Sequence, residues 1–192
     1  MSGIVGDNTA RASGVIASAG GGAWEYVATV AATGGATVVY EAMVSGYDYR
    51  FEVNDVVPSS DGVDLMFRVG VAGPTYRDDD YISYGSDWYS QNATRVDTTE
   101  TTFITANNSS VTGNLATEGN KKGWIEFNNP ADASSYTAWE GGISVMDQST
   151  VGAWNQIYGY HETVEAHTCL QLYYASGNVA TGNLLVYRRV RS

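Results

Sequence analysis

The chain has 192 residues, of which 43% are hydrophobic and 16% charged, with 22 glycines and 14 tyrosines. This composition favours strands and turns over helices. Its formal net charge of −11 argues against general nucleic-acid binding, which needs a basic surface, and against docking on anionic lipid. One cysteine, Cys169, excludes an internal disulfide, and no apolar run predicts membrane insertion.

The first 23 residues differ in composition from the rest of the chain. They are rich in Gly, Ala and Ser, lack aromatic residues and end in a glycine run. Because this segment has too little apolar mass for a core, we predict an extended N-terminal anchor arm over 1–23. We expect Ile4, Val5 and Arg11 to anchor it, with the folded domain over 24–192.

A period-2 pattern of apolar residues begins at Trp24 and predicts a first strand. A Gly-Gly turn separates it from a second strand over 36–44, and a third strand buries alternate residues over 49–53. Residues 58–62 contain strong turn residues, including Asp-Gly. We therefore predict that the third strand and the next run, 63–71, form a hairpin.

Residues 74–100 are polar and aromatic, which predicts a long loop with short strands around 81–84 and 88–91. Further strands are predicted over 101–106, 123–127, 137–145, 155–161, 167–175 and 183–190, with a bulge at Thr181-Gly182. No segment of ten residues has a helical period. The chain is therefore predicted to be all-β, an antiparallel sandwich of about ten strands.

His161 and His167 are the only histidines. The run from His161 to Glu165 superficially resembles the zinc-protease helix motif, but Glu165 stands where the second histidine is required. A polar turn is the plain interpretation. A metal site built from His161, Glu165 and His167 is the alternative.

No other pattern predicts catalysis. The sequence lacks a Gly-x-Ser-x-Gly elbow, and Cys169 lies in a strand-like run, where a buried structural thiol is expected. Asp78, Asp79 and Asp80 predict a solvated acidic loop. A Ca²⁺ site at these three carboxylates is the alternative, although the run lacks EF-hand spacing.

Five aromatic residues crowd the predicted loop: Tyr76, Tyr81, Tyr84, Trp88 and Tyr89. Aromatic side chains with a polar tip suit interfaces and flat sugar faces, although β-sandwich cores use them too. Because functional residues concentrate in loops, we predict a glycan or protein contact surface here.

Two stretches resemble structural proteins of tailed phages. Residues 2–14 resemble the short N-terminal segments of many such proteins. Residues 47–58 followed by 61–65 are similar to a recurrent phage jelly-roll pattern, in which a strand runs into a Pro turn and a second strand follows Asp-Gly. Asn129-Pro130 in mid-domain is similar to that group as well.

The closing strand carries the rest of the resemblance. Ser176-Gly177, Gly182 and residues 185–187 are similar to the last strand of the phage group, but Arg188-Arg189 replaces its usual glycine. The resemblance implies a jelly-roll-like sandwich in a non-enzymatic virion surface protein, either a capsid decoration or a tail fibre and adhesin module. It carries over no catalytic residues.

The same resemblance implies the surroundings of the protein. We expect synthesis in the host cytoplasm, location on the virion, contacts with other capsid or tail proteins, and assembly as a homotrimer. A host surface glycan is the expected external ligand. The alternative is a free carbohydrate-binding module or a glycan-active enzyme.

Overall fold

A computed structural model describes most of the chain after the predicted arm. The described residues are 22–89, 95–106, 114, 121–146 and 152–191, although the side chains of 87, 89 and 95–98 are not among them. The predicted anchor residues Ile4, Val5 and Arg11 lie outside the described residues.

The described residues form thirteen β-strands and no helix. The strands are β1 Glu25–Ala31, β2 Thr37–Tyr40, β3 Tyr47–Pro58, β4 Leu65–Val71, β5 Thr75–Tyr76, β6 Tyr81–Tyr89, β7 Arg95–Glu100, β8 Ile104–Thr105, β9 Lys121–Asn128, β10 Thr137–Met146, β11 Gly152–His161, β12 Cys169–Tyr174 and β13 Val179–Val190. Within this part of the chain, no helix is long and apolar enough to cross a membrane.

The strands form two antiparallel sheets. The larger has eight strands in the order β1-β13-β3-β9-β10-β11-β6-β7, and the smaller has the order β2-β12-β4-β5 with β8 also paired to β4. Their inner faces share one hydrophobic core. The predicted all-β, antiparallel sandwich is confirmed.

Alternation along the strands explains the core. Phe51 and Val53 of β3 are buried between residues that are only partly buried, as the period-2 pattern predicted. Phe67 and Val69 of β4 are fully buried in the smaller sheet. The inward residues of the two sheets therefore form one continuous apolar layer.

The predicted hairpin between β3 and β4 is wrong. β3 pairs with β13 and β9, whereas β4 pairs with β12, β5 and β8. The turn over 59–64 carries the chain from the larger sheet to the smaller one. Both strands bury one face in the same core, so their patterns match even though they do not pair.

The predicted loop over 74–100 is also wrong for its middle part. β6 continues as one strand over Tyr81–Tyr89, between β11 and β7. The strand predicted over 36–44 is shorter, at Thr37–Tyr40, and that predicted over 101–106 is reduced to Ile104–Thr105. The predicted short strands near 81 and 88 belong to the continuous β6.

The bulge predicted at Thr181-Gly182 is confirmed. The register between β13 and β3 shifts on both sides of Thr181. Gly182 has a φ of 111°, and a Cβ there would lie 2.5 Å from the Cα of Val56. Only glycine allows the two backbones to approach this closely.

Candidate functional site

An aromatic patch lies on the outer surface of the larger sheet, on β6, β9 and β11. We call it the aromatic face, and it consists of Tyr84, Trp88, Trp124, Trp154, Tyr158 and Tyr160. Trp88 is 46% exposed, Trp154 45% and Tyr158 44%. Exposed large aromatics grouped in this way are unusual on a protein surface and mark binding sites.

Strand register explains why these residues share one surface. Tyr158 of β11 lies opposite Tyr84 of β6, and Trp154 lies opposite Trp88 in the same strand pair. Directly opposite residues in an antiparallel pair point to the same side of the sheet. The rings of Tyr84 and Tyr158 stack with centroids 5.3 Å apart at 20°, which orders both side chains.

Two open cavities adjoin on this surface. One, of about 640 Å³, is lined by Trp124, Glu140, Gly141, Trp154, Gln156, Ile157 and Tyr158. The second, of about 430 Å³, is lined by Tyr84, Asn128, Trp139, Glu140, Tyr158, Gly159 and Tyr160. Because both include Glu140 and Tyr158, they form neighbouring parts of one groove across the strands.

Gly142 of β10 makes room for one wall of the groove. A Cβ at this position would lie 2.2 Å from Cζ2 of Trp154. The direct cross-strand partner of Trp154 is Ser144. The indole of Trp154 instead leans over Gly142, which is its diagonal neighbour. A side chain at position 142 would push the indole away from its place.

A row of polar side chains runs across the outer surface of the larger sheet and enters the groove at Glu140 and Tyr158. Each residue of the row is the direct cross-strand partner of the next across β3, β9, β10 and β11. The row consists of Arg50, Glu126, Glu140 and Tyr158. Arg50 lies 3.3 Å from Glu126 Oε1, and its guanidinium is 4.8 Å from the centroid of the Trp124 ring. Burial raises the pKa of Glu126, Arg50 opposes this rise, and Glu140 adds to it.

The structure separates the five aromatics predicted as a contact surface. Tyr84 is 38% exposed and Trp88 46%, whereas Tyr81 is fully buried. Tyr76 is half-buried, and the side chain of Tyr89 is outside the described part. Among the four of these side chains that the structure describes, Tyr84 and Trp88 belong to the aromatic face and Tyr76 and Tyr81 do not.

The sequence prediction missed most of the aromatic face. Trp124, Trp154, Tyr158 and Tyr160 lie in strands that are distant in sequence from the predicted loop. One signal was available, because Trp154, Tyr158 and Tyr160 have the same parity in β11. Asn155 and Ile157, which have the other parity, are buried, so this strand presents its aromatics outward.

The two histidines come together with Glu165 where the chain crosses between the sheets. His161 ends β11, His167 precedes β12, and one ligand atom from each of the three residues lies within 4.8 Å of the others. Both imidazoles are fully buried, with ring centroids 4.7 Å apart. Arg77 donates two hydrogen bonds to the Glu165 carboxylate.

Asp78, Asp79 and Asp80 are exposed. Asp80 Oδ2 accepts a hydrogen bond of 2.8 Å from Thr163 Oγ1, which attaches this acidic run to the loop after β11. The Ca²⁺ site at these carboxylates stays a prediction. Cys169 is buried on β12, and burial raises the pKa of its thiol, in keeping with the expected structural thiol.

Comparison of this chain with protein-family models, with curated proteins and with solved structures gives no match.

Proposed function

We propose that this chain is a non-enzymatic glycan-binding protein of a virion surface, and that the aromatic face is its contact surface. The observation that carries the proposal is the aromatic face itself. Flat aromatic rings with polar edges suit the apolar faces of sugar rings. A groove of this size, lined by aromatics and a few polar groups, is typical of ligand sites.

The polar residues between the rings favour a sugar ligand. Glu140 and Gln156 line the larger cavity, and both offer hydrogen-bond partners to hydroxyl groups. The chain's net charge of −11 and the carboxylates of Glu126 and Glu140 oppose nucleic acid. Polar groups placed among rings fix the orientation of a ligand whose faces stack.

The virion setting rests on the resemblance of 2–14 and 47–65 to tailed-phage structural proteins. In this proposal the sandwich is of the jelly-roll type, the arm over 1–23 anchors it to capsid or tail proteins, and three copies form a homotrimer. A decoration protein and a tail fibre or adhesin module both fit this arrangement. The exposed aromatic face favours the adhesin role, because it offers a contact to a host glycan.

Affinity electrophoresis tests the glycan proposal. The chain should be retarded in gels containing a host-derived polysaccharide, and Trp154→Ala or Tyr158→Ala should each weaken binding about five- to tenfold, since loss of one aromatic contact costs roughly 1–1.4 kcal/mol. Tyr26→Ala is the matched control, because Tyr26 is 54% exposed but lies outside both cavities. Equal retardation of all variants would exclude the aromatic face.

Particle assembly tests the virion proposal separately. The protein should copurify with phage particles, and deletion of 1–23 should abolish incorporation while thermal unfolding of the domain stays unchanged. Mass photometry should give the mass of three copies. If the truncated protein still joins the particles, the arm is not the anchor.

One observation favours a glycan-active enzyme as the second candidate. Glu126 and Glu140 are direct cross-strand partners, and such partners have Cβ atoms roughly 4.5–5.5 Å apart. Retaining glycosidases place their two carboxyl groups about 5–5.5 Å apart. An enzyme would release reducing ends from a bound polysaccharide, and Glu140→Gln would stop release while retaining binding. Binding without release supports the non-enzymatic proposal.

A further inference from the structure

The loop over 162–168 carries the chain from the larger sheet to the smaller one, and its ends bring two imidazoles together. His161 is the last residue of β11, and His167 stands two residues before β12. The backbone fixes the second histidine, since its N–H donates to Pro130 O at 2.9 Å. Glu162 N–H donates to Asp80 O at 2.8 Å, so both ends of the loop are held.

The hydrogen bonds of His167 define which nitrogen is free. Its Nδ1 lies 2.7 Å from Thr137 Oγ1, and that hydroxyl donates to Pro130 O at 3.3 Å. Because the hydroxyl has one proton, its oxygen then accepts from Nδ1–H of His167. The lone pair of the neutral ring is therefore on Nε2, as in histidines that bind metals through Nε2.

The surroundings of His167 Nε2 favour a bound cation. It lies 3.1 Å from Glu165 Oε1, but this contact does not have hydrogen-bond geometry, and Nε2 has no hydrogen-bond partner among the described residues. A buried lone pair beside a carboxylate is unfavourable unless a positive charge lies between them.

His161 supplies a second buried nitrogen. Its Nε2 also has no hydrogen-bond partner within the described part of the chain. Its Nδ1 accepts a hydrogen bond of 3.3 Å from Thr163 N–H, and ligation through Nε2 would require this long bond to be given up. His161 is therefore the weaker of the two imidazole ligands.

We propose that His161, Glu165 and His167 bind one divalent transition-metal ion of the Zn²⁺ class, which ties the end of β11 to the start of β12. The ligand atoms lie within 4.8 Å of one another, and side-chain rotations of about 1 Å would bring them to the roughly 3.3–3.6 Å separation of tetrahedral ligands with bonds of about 2.0–2.2 Å. Arg77 holds the carboxylate in place, and a donor set of two imidazoles and one carboxylate disfavours Ca²⁺ or Mg²⁺, which depend on several anionic oxygens. Glu165 keeps 20% of its side chain exposed, so water can complete the coordination.

The test uses the full chain, freed of metal with a chelator and titrated with Co²⁺ as a visible probe for Zn²⁺. We expect one equivalent of Co²⁺ to produce d–d absorption, Zn²⁺ to displace it, and the Tm to rise with metal concentration. His167→Gln and Glu165→Gln should abolish the absorption, and His161→Gln should weaken binding less. Glu162→Gln is the matched control, because it is an exposed carboxylate in the same loop outside the cluster.

One more variant separates ligation from folding. Thr137→Val removes the group that orients His167 but leaves all three ligands, and it should weaken Co²⁺ binding roughly 10- to 100-fold. Far-UV circular dichroism in chelator checks that each variant is folded. Absence of stoichiometric Co²⁺ absorption in the parent chain, or unchanged binding in Thr137→Val and Glu165→Gln, would overturn the proposal.

Discussion

Tyr81 links the two sheets through a single hydroxyl, and its removal should be costly. The hydroxyl accepts a hydrogen bond of 3.0 Å from Val69 N–H and donates one of 3.2 Å to Arg77 O. Val69 lies on β4 of the smaller sheet, whereas Tyr81 begins β6 of the larger one. Both residues are fully buried, so water has no direct access to the N–H after Tyr81→Phe.

The expected magnitude follows from the atom that is left without a partner. On the same side of β4, the Val69 carbonyl accepts a hydrogen bond from Arg77 N–H. No neighbouring strand therefore supplies a new acceptor for the Val69 N–H when the hydroxyl is lost. A buried donor without a partner costs about 1–3 kcal/mol. For a domain of this length, a loss of about 2 kcal/mol corresponds to a fall in Tm of roughly 4–8 °C.

Urea unfolding of the parent and the variant measures this change, with equal slopes required for the comparison. Tyr174→Phe is the matched control, because Tyr174 is also buried but its hydroxyl only donates, to Val56 O at 3.1 Å. We expect this control to lose about 1 kcal/mol. A loss below about 0.5 kcal/mol for Tyr81→Phe, or one no greater than the control, would refute the reasoning.

Three further changes give sharp outcomes. In Gly142→Ala, a Cβ placed 2.2 Å from the Trp154 ring should displace the indole and weaken polysaccharide retardation about tenfold, with stability unchanged within roughly 0.5 kcal/mol. Gly182→Ala should lower the free energy of unfolding by at least about 1–3 kcal/mol in urea titrations, because φ is 111° and Val56 Cα is 2.5 Å away. Burial raises the pKa of the Asp64 carboxyl group, so the folded chain binds the carboxyl proton more tightly than the unfolded chain does. The ionised carboxylate therefore destabilises the fold as pH rises through the raised pKa. Asp64→Asn should therefore stabilise the chain at neutral pH, and thermal scans at falling pH should show the gain disappear below about pH 4; an equal gain at every pH would contradict this cause.

The strands were predictable from the sequence, but their partners were not. Alternation along β3 identifies Phe51 and Val53 as inward residues, and the structure agrees. The same alternation cannot say which sheet a strand joins, because both inner faces meet one core. For this reason the Asp-Gly turn before β4 was interpreted as a hairpin although it connects the two sheets.

β6 shows why polarity misled the prediction over 74–100. Its inward positions include the small residues Ser83 and Gly85, and its outward positions include Tyr84 and Trp88. A strand with small residues inside and large rings outside has the opposite pattern to an ordinary half-buried strand. The strand was therefore interpreted as an aromatic loop.

The aromatic face was only partly predictable for a different reason. Its rings come from β6, β9 and β11, which the chain reaches far apart in sequence. Tyr84 and Trp88 were identified locally, but their neighbours Tyr158 and Trp154 are assigned to them only by strand register. The histidine cluster was easier, because His161, Glu165 and His167 lie within one short loop.

The position of β13 has a consequence for synthesis of the protein. β13 is the last of the described strands in sequence, yet it lies between β1 and β3, the first and third of them. Among the described strands, β1 pairs in the larger sheet with β13 alone, so this pairing must wait until residues up to Val190 have left the ribosome. Pairing over such separations is slow, and until then β1 and β3 present open edges to other chains in the cell.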